Sequence, residues 1–286
     1  VLRFGIAGLG AASTQILPEI AAHPCLKVTA AADPRRAALD KFARQFQAET
    51  YESVEEMCES PNVDAVYVST PNHLHAEHAI LAAGHGKQVV VEKPMALTLE
   101  ESQAMIDAAE RSGVRLLAGH THGFDAPVRA LAELLRSGEL GRTIMINAWY
   151  FTDWLYRPRM PDELDPGKGG GVVYRQAPHH VDIVRIIGGG LVRSVRASAS
   201  IVDRARPVEG SYAAFLEFED GAAATIVFNG YGHFDSSELT HGIGELGRPR
   251  DPETHLRSRR RVKGFAQPEE EWKYKDTLRF GGAREG

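Results

Sequence analysis

The sequence predicts an α/β protein: an N-terminal doubly wound parallel sheet followed by an α+β domain with a largely antiparallel sheet. Three observations carry this expectation. Up to about Gly119, short apolar runs alternate with amphipathic stretches, as in strands covered by helices on both faces. Beyond that point the runs lengthen and alternate apolar with polar residues, the mark of a sheet with one buried face. The first run also feeds a glycine-rich turn, Gly8-Leu9-Gly10-Ala11-Ala12-Ser13, with Asp33 closing the next apolar run.

Taken in order, Phe4 to Ala7, Val28 to Ala32, Ala65 to Ser69, Val89 to Val91 and Leu116 to Ala118 read as strands, and the segments between them as helices. Ser53 with Glu56 and Thr98 with Glu101 fit the capping box, in which hydroxyl and carboxylate satisfy each other's orphan backbone N–H groups. A helix from Pro127 to Leu135 ends at Gly138. The strands Thr143 to Phe151, Val192 to Val202, Ser211 to Glu219 and Ala222 to Tyr231 follow. Asp220-Gly221 between the last two signals a hairpin with a type I′ turn. Tyr212, Ala214, Leu216 and Phe218 alternate, so one face of their strand is buried. These patterns place a first domain at residues 1–120 and a second at 121–286, with the boundary near Gly119 to His122.

The chain has 286 residues, 43% of them hydrophobic, enough to bury substantial cores. Its 33 Lys and Arg against 38 Asp and Glu give a net charge of -5, which offers no field to attract nucleic acid or an anionic membrane. Small molecules are therefore the expected partners. Arg248 to Lys263 is locally basic but lacks interleaved aromatics, so it reads as a solvated excursion or oligomer contact. Cys25 and Cys58 lack metal-ligand spacing and read as free thiols in a reducing compartment. No apolar run has the length of a membrane span and the chain enters a core strand at once, so the expected location is the cytoplasm.

The glycine turn has the form of a dinucleotide-binding βαβ unit. Gly8 permits a tight turn, Gly10 lets backbone approach a pyrophosphate, and the helix opening at Ala11 and Ala12 directs its N–H groups at phosphate charge. Asp33 would accept hydrogen bonds from the adenosine ribose. Ser13 departs from the third glycine of the fingerprint. Asp33 favours NAD, while Arg35 and Arg36 keep NADP open as the alternative. Two polar motifs stand at strand carboxyl ends, where open α/β sheets bind ligands: Ser69-Thr70-Pro71-Asn72-His73-Leu74-His75, and Glu92-Lys93-Pro94. Taken singly, Asn72 could be a helix cap and Lys93 a surface charge.

Together with Asp33-Pro34, Gly138-Glu139-Leu140-Gly141, and Gly169-Gly170-Gly171 leading to His179 and Asp182, these motifs resemble the Gfo/Idh/MocA oxidoreductases. The resemblance implies a Rossmann domain, a nicotinamide cofactor held by residues including Gly8, Gly10, Ala11, Ala12, Asp33, Arg35, Thr70, Pro71, Asn72, His75 and Glu92, and a homodimer or homotetramer. It also implies relatives that continue past Gly286. The family's lysine falls on Lys93 and its histidine on His179, the two expected catalytic residues. Hydride loss from a carbinol requires a base for the hydroxyl proton, which suits His179. Lysine, ordinarily cationic with a pKa of about 10.4, suits orientation of the hydroxyl and stabilisation of alkoxide. The family uses no metal, so His73, His75, His78, His120 and His122 are not expected to hold one; His122 is expected to line the substrate pocket. His180 is expected to pack elsewhere on its helix.

One departure bears on the substrate. Arg175 stands four residues before His179, where the family usually places aspartate, and Gly123 stands where relatives often carry arginine. Guanidinium suits a carboxylate, so the expected substrate is an acid. Trp154, Arg157 and Arg159 lie in a segment expected near the pocket, with Asp182; pairing of the arginines with Asp162, Glu163 or Asp165 is the structural alternative. Arg175-Gln176 with Pro178-His179, and Trp154 to Arg159, look like the branch that contains phthalate cis-dihydrodiol dehydrogenases. The expected function is NAD-dependent oxidation of an anionic cyclic diol such as 4,5-dihydro-4,5-dihydroxyphthalate. The alternatives are an inositol, sugar or sugar-acid dehydrogenase, an NAD-assisted glycosidase, and a non-catalytic cofactor-binding regulator.

Overall fold

The computed structural model describes residues 1–188, 190–244, 247–251 and 253–284. The end of the chain at Gly286 lies outside the described residues. Two compact units are present, one made of Val1–Gly119 and the segment that starts at Lys273, the other of His120–Trp272.

The first unit runs β1 (Leu2–Ala7), α1 (Ala11–Ala22), β2 (Leu26–Ala32), α2 (Arg36–Phe46), β3 (Glu49–Tyr51), α3 (Val54–Glu59), β4 (Ala65–Val68), α4 (His75–Gly84), β5 (Gln88–Glu92), α5 (Leu99–Ser112) and β6 (Leu116–Gly119). Every strand pairing is parallel and the order is β3-β2-β1-β4-β5-β6. Right-handed crossovers in such an order reverse direction between β1 and β4, which opens a crevice at their carboxyl ends. Residues of successive strand positions enter two separate apolar clusters, one with Val66, Val68, Val89 and Val91, the other with Ile6, Leu39, Phe42 and Tyr67. That two-sided burial explains the continuous apolar runs.

Thr98 and Glu101 form the full capping box at α5, whereas at α3 the Ser53 hydroxyl accepts from the Glu56 N–H. Strand β3 was not expected from the sequence; its three residues are too few to show a period. The segment after Lys273 was expected in the second domain, yet Phe280 is buried against Phe42, with ring centroids 6.1 Å apart.

The second unit contains α6 (Ala126–Arg136), β7 (Met145–Phe151), α7 (Gly171–Arg175), α8 (Ala177–Gly188), β8 (Val192–Ser200), β9 (Ser211–Phe218), β10 (Ala223–Asn229) and α9 (Thr254–Lys263); α10 (Pro268–Thr277) begins in it. The sheet order is β7-β10-β9-β8, antiparallel except that β7 and β10 run parallel. Tyr212, Leu216 and Phe218 are buried as their alternation predicts. The β9–β10 hairpin forms at Asp220-Gly221, but the turn is not type I′: of the two residues only Gly221 has positive φ, +89°. Phe218 N–H donates to Ala222 O and Gly221 N–H to Phe218 O, the pattern of a three-residue loop ending in a glycine bulge.

The basic stretch is less solvated than expected. Arg250 pairs with Asp235 at 2.8 Å and Asp153 at 3.2 Å, and Arg259 lies over the Tyr156 ring.

Candidate functional site

In the first unit the glycine turn fits a dinucleotide. Gly8 has φ +89°, and a Cβ there would stand 2.8 Å from Ser69 O, so only glycine lets the turn lie on the β4 end. A Cβ on Gly10 would meet only Ser69 O, at 3.8 Å, leaving its outer side to a ligand. Helix α1 starts without a side-chain cap, and the N–H groups of Ala11 and Ala12 belong to its first turn, where phosphate charge is favoured. Ser13 is fully buried and its hydroxyl donates to Gly10 O at 2.9 Å, so serine fits where the fingerprint has glycine.

Asp33 is 3% exposed and accepts from Leu9 N–H at 2.8 Å and from Arg35 N–H and Nε at 2.8 and 3.1 Å. Its carboxylate therefore ties the end of β2 to the glycine turn. The Arg35 guanidinium is turned inward as well: it donates to Leu9 O and to Phe280 O, the latter at 3.2 Å. Arg36 pairs with Asp40 at 3.0 Å. Neither arginine is presented as the phosphate ligand that NADP would need.

The two motifs at the strand ends are tied to each other. His75 is 1% exposed, with Nδ1 2.7 Å from Pro94 O and Nε2 2.9 Å from Thr70 O. It joins the loops after β4 and β5 from beneath, so its role is to hold Thr70, Pro71 and Lys93 in place. Asn72 is buried, and Thr70 Oγ1 lies 3.0 Å from His78 Nδ1; burial holds the His78 imidazole below its ordinary pKa. Glu92 accepts from the Tyr67 hydroxyl and from Lys93 N–H at 3.1 Å. Burial and then Glu92 push the Tyr67 phenol up, so it stays a donor.

In the second unit a pocket of about 400 Å³ is lined by α6 and the turn before it, by β7, and by α8 and the residue before it; among the lining are His122, Asp125, Trp149, Gln176, His179 and His180. This volume suits a small organic molecule. His179 and Ile183, one turn apart on α8, face it together. The His122 and His179 rings meet edge to face with centroids 4.4 Å apart. His122 Nδ1 lies 2.8 Å from Asp125 Oδ2. His180 was expected to pack elsewhere, yet it lines the same pocket while packing on Tyr150, Tyr212 and Phe228, with Nδ1 3.1 Å from the Tyr212 hydroxyl.

Of the expected substrate residues, His122 lines this pocket. Trp154, Arg157, Arg159, Arg175 and Asp182 are not among its lining. Trp154 is core, stacked under the Arg159 guanidinium at 3.7 Å. Arg159 is 6% exposed and pairs with Glu163 at 3.0 Å. Arg157 binds Asp153 and Thr152. Arg175 Nη1 is 3.5 Å from the same Glu163, and burial holds its guanidinium below its ordinary pKa. Asp182 covers Gly123, where a Cβ would stand 2.5 Å from its Oδ2. The pairing with Glu163, the structural alternative, is thus present for Arg159 and Arg175. Asp125, Asn147, Trp149 and Gln176 were missed; Gln176, next to Arg175, was the one within an inspected motif.

One unit holds a nucleotide-binding parallel sheet and the other a histidine-walled pocket, the parts of a nicotinamide-dependent oxidoreductase. Residues 2–120 match the family described as the oxidoreductase family with NAD-binding Rossmann fold, and residues 128–240 match the GFO/IDH/MocA C-terminal domain. The chain belongs to the Gfo/Idh/MocA oxidoreductases, and its cofactor is NAD. It is 37% identical over 281 residues to the 1-carboxy-3-chloro-3,4-dihydroxycyclohexa-1,5-diene dehydrogenase of Comamonas testosteroni, covering 98% of this chain and 71% of that one. A solved structure of a dehydrogenase-like protein from Bordetella bronchiseptica RB50 superposes with a TM-score of 0.94 at 38% identity, over 100% of this chain and 75% of that one. The WlbA dehydrogenase of Bordetella pertussis, solved with NADH and UDP-GlcNAcA, gives 0.72 at 28% identity, over 82% of this chain and 68% of that one. Among the described residues, no group of three or more His, Cys, Asp or Glu could hold a metal ion, and no helix is long and apolar enough to cross a membrane.

Proposed function

We propose that this chain is a dehydrogenase of carboxylated cyclic cis-diols of the dihydroxycyclohexadiene kind. The observation that carries the reading is the pocket of the second unit: apolar walls for a ring, and histidines for a hydroxyl, with His179 in reach of both. The dihydroxycyclohexadiene carboxylate in the name of the Comamonas relative supports the same choice. Bound NAD supplies the hydride acceptor. His179 takes the hydroxyl proton, and Lys93 orients the hydroxyl and stabilises alkoxide charge. Gly8, Gly10, Ala11 and Ala12 hold the pyrophosphate, and Asp33 the ribose side. The product ketone of a dihydrodiol enolises to an aromatic catechol, which drives the oxidation forward.

Arg175, next to Gln176 in the chain and paired with Glu163, is assigned in this reading to favouring an acidic substrate. The exposed sheet face carrying Met145 and Phe215 is assigned to contact with a second copy, a homodimer or homotetramer, which light scattering would test. Free Cys25 and Cys58 suit a reducing compartment, and cytoplasmic location goes with the proposal.

The test is reduced-nicotinamide absorbance with NAD and a panel of phthalate cis-4,5-dihydrodiol, the chlorinated monocarboxylate diol, myo-inositol, glucose and a sugar acid. Turnover of the carboxylated diols, lost on the order of a hundredfold or more in His179→Ala, is expected. Turnover of the neutral polyols alone would return Arg175 to a structural role.

A further inference from the structure

Helix α6 opens at Asp125, a residue type whose carboxylate ordinarily caps the first turn. Here it makes no capping bond to the helix. Its Oδ2 lies instead 2.8 Å from His122 Nδ1. A carboxylate at Nδ1 fixes the proton on that nitrogen, leaving Nε2 with the lone pair and the ring in one orientation. That ring meets His179 edge to face at 4.4 Å, inside the pocket.

The backbone serves the same contact. Gly123, between His122 and Phe124, lies so close to α8 that a Cβ would stand 2.5 Å from Asp182 Oδ2 and 2.7 Å from Ile186 Cδ1. A side chain there would have to displace those two side-chain ends or lift the turn, and with it His122. The residue one helical turn before His179 is Arg175, directed at Glu163. The Asp125 carboxylate reaches His179 through the His122 ring.

We propose that Asp125 and His122 are positioning residues for His179. Building on the function proposed above, His179 becomes an imidazolium when the substrate O–H bond breaks and an N–H bond forms on its ring. The Asp125 carboxylate, acting through the oriented His122 ring, holds His179 in place and stabilises that cation.

The test uses four variants of the whole chain, each checked for an unchanged melting transition: Asp125→Ala, Asp125→Glu, His122→Phe and Gly123→Ala. Ring 15N spectra of histidine-labelled protein give a readout independent of turnover. The Nδ1–H form of His122 is expected in the unaltered chain, with Asp125→Ala releasing it and shifting the His179 ring signals. In turnover, Asp125→Ala, His122→Phe and Gly123→Ala are expected to lower kcat on the order of tenfold to a hundredfold with KM little changed, as small misplacements of a catalytic group do. Asp125→Glu should recover part of the loss. Unmoved His179 signals in Asp125→Ala would overturn the proposal, as would full kcat in His122→Phe, which keeps an aromatic ring, or a change confined to KM. Should no diol be turned over, the function proposed above fails, and the spectra still decide the positioning role.

Discussion

The two units are held together by different physics. The first buries its sheet on both faces with Ala, Val, Leu and Phe, and its ion pairs, such as Arg3 with Asp64, reach solvent except for Asp33 with Arg35 at the glycine turn. The second has ion pairs inside: Arg159 with Glu163, Arg206 bidentate to Glu271, and Asp153 with Arg157 and Arg250. A hydrophobic core tolerates pH change, whereas a charged interior fails when one partner is removed or neutralised. The nucleotide half is thus the less sensitive one, and the half that carries the histidine-walled pocket is electrostatically conditional.

The largest effects should come from deleting one member of each kind of core. Glu271→Ala leaves Arg206 without its bidentate partner and removes the acceptor of Arg159 N–H, and is expected to cost about 3–5 kcal/mol. Phe42→Ala, fully buried in the first unit, should cost a similar 3–5 kcal/mol. Trp149, Trp154 and Trp272 all belong to the second unit, so tryptophan fluorescence in urea should report the first variant directly, and hydrogen exchange of β1 and β4 the second. Equal destabilisation of both units by both variants would erase the contrast.

A smaller effect is expected from Gly8→Ala. A non-glycine at φ +89° costs about 1–2 kcal/mol before its clash with Ser69 O is counted. NAD affinity by calorimetry should fall more than tenfold while the tryptophan transition stays in place.

Acid should separate the units next. Burial pushes the Asp153 carboxyl up, but Arg157, Ser258 and Arg250 together hold it well below the usual carboxylate range. A carboxyl lowered in the folded state stabilises fully above its unfolded pKa, about 3.9, and loses that contribution as pH falls toward the folded value. In the first unit, Asp64 is likewise held down to about 2, with Arg3 as the main cause, but solvent screens that pair. Urea titrations from pH 5 to 3 should therefore lower the tryptophan midpoint faster than exchange protection in β1. Coincident loss would place the acid sensitivity elsewhere. The least effect is expected at the exposed Arg36–Asp40 pair, where Asp40→Ala should change stability by less than about 0.5 kcal/mol.

Legibility in the sequence followed the range of the interaction. The parallel sheet and the glycine turn were readable because strand runs, turn residues and caps act over a few positions. The parallel pairing of β7 with β10 was not, since it joins residues nearly 80 apart, as Met145 with Ala223. The same limit applied to the site. His179 and His122 were singled out from motif and neighbourhood, whereas Asp125 belonged to no motif that could mark it. Arg159 and Arg175 advertised charge without revealing that both face Glu163.

Phe280 gives the chain an order of completion. Its ring fills the cluster beside Phe42, and its carbonyl receives the Arg35 guanidinium that also binds Asp33 and the Leu9 carbonyl. On the ribosome these partners emerge first, and Phe280 about 240 residues later, after the whole second unit. The nucleotide cradle is thus completed only after the second unit has been made, and a nascent chain halted after Trp272 would expose an apolar socket where Phe280 belongs.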